Sequence, residues 1–280
     1  MTAAAIDGIR LDPGETIDWI VFDRPEAANS FSAAMLARFS AVVDDRAANG
    51  APVIGIRAAG KGFSAGMDLG EYDPSGSITD DVLRLSSYVE RWKALLRHPK
   101  PIVFAVHGYC IGVAAQLASF ADIVVVAEDA RISEPTIPIG GGFIAPAWVS
   151  EVGARRAKEF AFLPGNWIDG VTAARWGWAN AAVATDDLIA CVEALAARMA
   201  LVPPGVLAMK KRSINRALLA GGFETALAAV AESDAVLHAD PQVKVIRDDL
   251  REQGIGKVKP RFAGESSHEI FARYATSQST

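Results

Sequence analysis

Cysteine and histidine are scarce in this chain, with two and four among 280 residues. Cys110 and Cys191 stand far apart in apolar surroundings and read as buried thiols, not as a disulfide or a metal pair. The few histidines and cysteines fall into no metal-ligand spacing, so no metal centre is expected. Positive charge is not in excess either. The net charge is -5, which argues against a nucleic-acid surface and leaves room for a local basic pocket. No apolar run approaches the ~18 residues of a membrane-spanning helix. The opening M-T-A-A-A-I-D-G has neither the basic segment nor the apolar stretch of a secretory leader, so a soluble cytoplasmic protein is expected. What the chain does have is apolar residues, 51% of the total, enough for a sizeable core in one large domain or one domain with an appendage.

The most informative stretch is 100–142. Two apolar runs, 102–106 and 123–127, read as strands, with Pro101 at the start of the first, where its missing donor costs least. Between them a small-residue helix is predicted over about 112–120. Gly108 and Gly112 bracket a turn in which backbone must come close to something. A second such place follows a predicted strand over 53–56, where Gly60, Gly62 and Gly66 permit sharp turning and Asp68 is placed to cap a following helix. Either turn alone is an ordinary glycine-bearing strand-to-helix link. Two in series point to two backbone donors converging on one site.

Around these, strands are predicted over 6–11 and 16–22. Helices are predicted over 33–49 (capped by Ser32), 79–97, 147–162, 188–201 (capped by Asp186 or Asp187), 208–219, 223–238 and 240–253. In the second helix Leu83, Leu85, Tyr88, Val89, Trp92, Leu95 and Leu96 are expected on the apolar side. Residues 254–280 read as a basic strip, K-V-K-P-R-F, and a polar tail. Pro203 and Pro204 mark a junction, giving a division into 1–202 and a helical region 203–280.

The stretches A-G-K-G-F-S-A-G-M-D-L (59–69), A-V-H-G-Y-C-I-G-V-A-A-Q-L (105–117) and A-R-I-S-E-P-T-I-P-I-G-G-G (130–142), in that order, resemble the crotonase superfamily, the enoyl-CoA hydratases and isomerases. The opening D-R-P-E-A-A-N-S-F-S (23–32) and the ending K-V-K-P-R-F (257–262) resemble the family as well. The resemblance implies an α/β fold, a crotonase-like spiral of repeated β-β-α units with a helical C-terminal part, assembled as a homotrimer or a dimer of trimers. It implies a coenzyme A thioester as substrate and no permanently bound cofactor. By motif position the N–H groups of Ala65 and Val113 would hold the thioester oxygen. Ala27, Lys61, Ser64, Ala65, Met67, Asp68, Leu69, Gly108 and Gly112 would surround the coenzyme A moiety, and a Lys or Arg of 257–262 would reach one of its phosphates. The stretch 79–97 would wall the acyl pocket, with Tyr72, Tyr88 and Trp92 as aromatic candidates, although core packing explains such residues equally.

The sequence departs from the family where proton transfer is done. The two positions that resemble the usual glutamates hold Gln116 and Thr136, and neither side chain is a carboxylate base. Glu134, two residues before Thr136 and on the same side of an extended segment, is the replacement this sequence offers. Its bland alternative is a surface residue beside Pro135. Glu71 and Asp73 are loop carboxylates that could face substrate. His107 reads as a structural histidine and His98 as a helix-end residue; Trp176 and Trp178 read as core residues, with the pocket or a neighbouring subunit as the alternatives. In this reading Glu134 is the acid/base, Gln116 orients water or the acyl carbonyl, and Thr136 holds a second water. Hydratase or isomerase chemistry leads. A non-catalytic acyl-CoA binder, and a hydratase-lyase for bulky or aromatic acyl groups (suggested by A-G-M-D-L-x-E-Y, 65–72), are the alternatives.

Overall fold

The computed structural model describes residues 5–71, 77–140 and 145–275. In chain order its elements are β1 (Ile9–Asp12), β2 (Ile17–Phe22), α1 (Ala33–Ala48), β3 (Val53–Ala58), α2 (Ile78–Arg97), β4 (Ile102–Val106), β5 (Tyr109–Ile111), α3 (Val113–Ala118), β6 (Ile123–Ala127) and β7 (Arg131–Ser133). There follow α4 (Ala145–Val152), α5 (Ala154–Phe162), β8 (Trp167–Asp169), α6 (Gly170–Trp176), β9 (Ala181–Val183), α7 (Leu188–Met199) and α8 (Pro204–Leu218). The chain continues through α9 (Glu224–Ala228), α10 (Val230–His238), α11 (Pro241–Gln253), α12 (Ile255–Val258) and α13 (Ser267–Tyr274).

The strands form two sheets. One runs β1-β2-β3-β4-β6-β9, parallel except for the β1/β2 pair; the other runs β5-β7-β8. The chain passes from the large sheet to the small one twice, from β4 to β5 and from β6 to β7, and a helical segment follows each pass. This is a spiral of β-β-α units with a helical C-terminal part. The strands β2 and β4 are buried at every position. An apolar run without alternation, as in β4, is what a strand covered on both faces requires. Phe22 packs edge-on against Phe31, Phe39 and Phe63, and Phe63 leans on Phe104. That ring cluster is the bed on which the turn after β3 rests. The α1 helix adds Met35, Leu36, Phe39, Val42 and Val43 to the same core and is capped by the Ser32 hydroxyl, which accepts from Met35 N–H.

Several expectations needed correction. The helix expected over 147–162 is two, broken at Gly153, whose φ of +80° leaves the helical range. The one expected over 223–238 is likewise two, divided at Ala229. Asp186 and Asp187 lie in a short 3-10 turn, and the Asp187 side chain caps nothing. Leu83 is 66% exposed and lies off the apolar side of α2, whereas Trp92 is fully buried core. The tail is not simply polar chain: α13 begins with a reciprocal Ser266–Glu269 capping box. Ser267 then hydrogen-bonds Asn166 and Glu159, so long-range partners order a segment whose local pattern is weak.

The C-terminal helices are fixed by buried polar contacts as well as apolar ones. The Lys211 ammonium on α8 donates to Leu95 O (2.8 Å), Lys100 O (3.1 Å) and Asp122 (2.7 Å). α10 packs along α2. Both Trp148 and Trp178 are core residues near each other, while Trp176 is half-buried with Arg156 over its ring. Among the described residues no single helix is long and apolar enough to cross a membrane.

Candidate active site

A cavity of about 920 Å³ opens between the turns after β3 and β5 on one side and α2, α5, α10 and the segment after β7 on the other. Of the five residues assigned chemistry from the sequence, all line it: Ala65, Val113, Gln116, Glu134 and Thr136. Of those expected around coenzyme A, Ala65, Met67, Leu69 and Gly112 line it, whereas Ala27, Lys61, Ser64, Asp68 and Gly108 do not.

The two turns are held face to face by backbone. Gly66 has φ +90°, and a Cβ there would fall 2.8 Å from Ile111 O. Only glycine supports both the dihedral and the approach. The buried Asn29 amide locks the base of the first turn, donating to Ala59 O (2.8 Å) and Gly62 O (3.0 Å) and accepting from Arg24 N–H. The Ser64 hydroxyl donates to Asn29 O (2.7 Å) and accepts from Gly66 N–H, so it serves the turn itself. Asp68 caps no helix. Burial opposes its charge, but its 2.7 Å pair with Arg24 and the Gly70 N–H hold its pKa below the usual carboxylate range. Ser77, not Asp68, caps α2.

The N–H inventory moves one expected donor. Ala65 N–H already donates to Ala28 O at 3.0 Å and is not available to a ligand. Two residues on, Met67 N–H meets no acceptor among the described residues, although its neighbours in the same bridge, Phe31 and Asp68, are paired. In the second turn Gly112 N–H is taken by Ser133 O, while Val113 and Ala114 N–H, at the head of α3, have no acceptor among the described residues. The sequence could not tell which amides of this turn the neighbouring loop consumes.

Glu134 follows the last residue of β7, and its N–H is tied to Asn166 O at 2.8 Å. Its side chain is half-buried and lines the cavity, with protein packed around the carboxyl. Burial, with no offsetting hydrogen bond or cation, pushes its pKa up to about 7. Gln116 is 4% exposed, and its Oε1 has no hydrogen-bond partner. A buried, unpaired amide oxygen on a cavity wall is a group placed to receive a donor from outside the protein.

The loop carboxylate Glu71 faces away from the cavity: it accepts from Ala33 N–H at 2.8 Å, at the start of α1. Asp73 and Tyr72 lie outside the described residues. Tyr88 does line the cavity; Trp92 does not. His107 bonds Gly60 O and His98 receives Lys100 N–H, both structural contacts. Sequence reading missed Lys158 and Arg84 on the cavity wall, and it missed Asp234 and His238. Lys259 belongs to the basic strip already singled out, and it does reach the cavity.

The model of the family Enoyl-CoA hydratase/isomerase matches residues 13–262. A crystal structure from Novosphingobium aromaticivorans, assigned to the enoyl-CoA hydratases/isomerases, superposes with a TM-score of 0.94 at 69% identity, over 96% of this chain and 100% of that one. A Rhodobacter capsulatus protein assigned as an enoyl-CoA hydratase is 32% identical over 75% of this chain and 82% of its own. The 1,2-epoxyphenylacetyl-CoA isomerase of Escherichia coli is also 32% identical, over 71% of this chain and 78% of its own.

Proposed function

Because the chain belongs to the enoyl-CoA hydratase/isomerase family and is an acyl-CoA-processing enzyme of it, we propose that it carries out proton transfer on an acyl-CoA thioester bound in this cavity, with Glu134 as the acid/base. The observation that carries the proposal is the Glu134 carboxyl. It lines the cavity, and burial brings its pKa to about 7. A base is most effective when its pKa lies near the working pH.

Met67 N–H and the Val113 and Ala114 N–H groups would face the thioester oxygen. As carboxylate, Glu134 takes a proton from the acyl chain, and the electron pair moves onto the carbonyl oxygen as an enolate. Preorganised N–H donors stabilise that charge, and loss of one costs roughly 10²- to 10³-fold. The proton returns from Glu134 to a different carbon, which shifts the double bond. Net addition of water needs a second proton-transfer group, and neither Gln116 nor Thr136 is one. The site therefore favours isomerisation over hydration. Gln116 and Thr136 orient the acyl chain or a water by hydrogen bonds. Lys158 and Lys259 offer positive charge to the phosphates of coenzyme A, and the reaction needs no other cofactor. The exposed apolar side chains Val206, Met209 and Ile214 of α8 suit a second copy of the chain. A homotrimer or dimer of trimers is the expected assembly, checked by light scattering.

The test is turnover of aliphatic and aromatic enoyl-CoA thioesters in deuterated water, read by mass spectrometry, with calorimetric binding of each, for the natural enzyme and Glu134→Gln. Deuterium incorporation that vanishes in E134Q supports the proposal. Exchange unchanged in E134Q discards Glu134 as the base. Micromolar binding with neither exchange nor product across the panel replaces the enzyme with a silent acyl-CoA binder.

A further inference from the structure

The Glu134 carboxyl is carried by a segment with little main-chain support of its own. β7 ends at Ser133, and Pro135 has no N–H to give. Among the described residues, 134–136 make two main-chain hydrogen bonds: Glu134 N–H donates to Asn166 O at 2.8 Å, and Pro135 O accepts from Gly165 N–H at 3.1 Å. Both go to the turn 163–166. The approach is close. Gly165 has φ +67°, and a Cβ there would lie 2.8 Å from Thr136 Oγ1. Leu163 and Pro164 of the same turn line the cavity beside Glu134, Pro135 and Thr136.

One side chain ties this turn to the helices around it. Asn166 is 1% exposed. Its Nδ2 donates to Glu159 O at 2.8 Å, one of the last carbonyls of α5, and to Ser267 Oγ at 3.3 Å. Its Oδ1 accepts from Ser267 N–H at 2.8 Å. Ser267 Oγ donates in turn to Glu159 Oε1 at 2.7 Å. Ser267 is the first residue of α13, is itself buried, and follows directly on the Ser266 cap. Both polar atoms of the Asn166 amide are thus satisfied within the protein. Asn166 joins α5, α13 and the segment bearing Glu134 at one buried point.

We propose that Asn166 is a positioning residue for Glu134 and that α13 braces it, the seating of Ser267 on Asn166 holding the turn 163–166 against the segment that carries the carboxyl. The proposal rests on the reading of Glu134 as the acid/base and says what keeps that group in place. Asn166 is not on the cavity wall and touches no substrate. It acts through its own carbonyl, which accepts the Glu134 N–H. With the brace removed, the turn draws away and water reaches the carboxyl. Burial is what raises the Glu134 pKa, so loosening lowers it. The charged and titratable groups on the surrounding walls are Arg84 on α2, Lys158 on α5, Asp234 and His238 on α10, and Lys259. Glu159 stands beside Asn166 itself. Substitution of Asn166 or Ser267 by alanine leaves every one of these groups in the chain.

The experiment is α-proton exchange of an enoyl-CoA thioester in deuterated water as a function of pH, for the natural enzyme, Asn166→Ala, Ser267→Ala and Glu134→Gln. The pH midpoint of kcat/KM reports the free enzyme's acid or base. In N166A that midpoint should fall by about one pH unit, and kcat by about 10- to 100-fold, while KM changes by less than about two-fold. S267A keeps the asparagine and loses one hydroxyl, so its midpoint should move in the same direction by less. A lower Tm or kcat with the midpoint unmoved in both variants is what a merely structural asparagine gives; it overturns this inference and leaves Glu134 as the base. Should N166A fail to fold, S267A decides by the same criterion. A pH step that is absent from the natural enzyme, or that persists in E134Q, overturns Glu134 as the base and this inference with it.

Discussion

The two sides of the cavity are built differently. The side carrying Met67, Val113 and Ala114 is main chain: two glycine turns joined by backbone hydrogen bonds between Ser64 and the 109–111 strand, the first locked by the Asn29 amide and resting on a bed of phenylalanine rings. The opposite side is made of side chains, with Glu134 after β7, Arg84 and Tyr88 on α2, and Asp234 and His238 on α10. A backbone donor survives most substitutions of its own residue, so the first side can stay constant while substrates change. A side-chain wall changes whenever one residue does. In the proposed mechanism the general chemistry, stabilising negative charge on an oxygen, falls to the backbone side. The particular chemistry, which proton moves and which acyl group fits, falls in the same proposal to the other.

The largest expected effect sharpens that division. Glu134→Gln lowers α-proton exchange by about 10²- to 10⁴-fold while thioester binding persists. Its pH dependence has a definite sign. With the Glu134 carboxylate as the proposed base, exchange in the natural enzyme should rise with pH through about 7 and level above it, and no such step should remain in E134Q. Stability moves the other way. Burial raises the folded-state pKa from 4.5 to about 7, so between these values the folded chain holds the proton more tightly than the unfolded chain. Stability is thus full below about 4.5 and declines as pH rises to 7, by at most roughly 3 kcal/mol. Thermal melts at pH 8 should place E134Q above the natural enzyme; a lower Tm contradicts a desolvated carboxylate.

Gly66→Ala attacks the backbone side. The added methyl meets Ile111 O, and the +90° φ strains any L residue. Turnover should fall by about 10²- to 10³-fold as Met67 N–H is displaced, with a lowered Tm. Turnover close to that of the natural enzyme would mean that the amide of Met67 does not act. Gln116→Leu removes a buried amide whose oxygen has no partner. Its Tm should hold or rise while KM for the thioester rises about 10-fold, since an unmade hydrogen bond is a cost to the fold; a fall in Tm would show that the amide is satisfied in the protein. Smallest is Ser77→Ala, which removes the α2 cap remote from the main-chain turns. A Tm lower by about 2–4 °C is expected, with kcat within two-fold. A large loss of kcat would show that α2 does more than wall the cavity.

What could be read in advance follows the same division. Gly66 and Gly112 were visible because a main-chain turn of that shape admits almost no other residue, and the strands β4 and β6 because a doubly covered strand must be apolar throughout. Glu134 was singled out only because Gln116 and Thr136 cannot carry a proton. Asp81 and His238 gave no signal: they lie 157 residues apart, each on a helix whose pattern shows only that a polar residue stands near an apolar face. The helix α13 was hidden for a similar reason, since its anchor is Asn166 on another part of the chain.

By itself, then, the sequence determined the local conformations: where the chain must turn left-handed, which runs must be buried, and which position lacks a carboxylate. These follow from sterics and the hydrophobic effect acting over a few residues. The tertiary structure decided which amide of a turn is left free, because Ala28 O, brought from another turn, takes the N–H of Ala65 and leaves that of Met67. It decided that Glu134 titrates near 7, because desolvation is set by what surrounds a carboxyl and not by its neighbours in the chain. It also decided that an imidazole from α10 meets a carboxylate from α2, because only packing brings distant helices within hydrogen-bond reach.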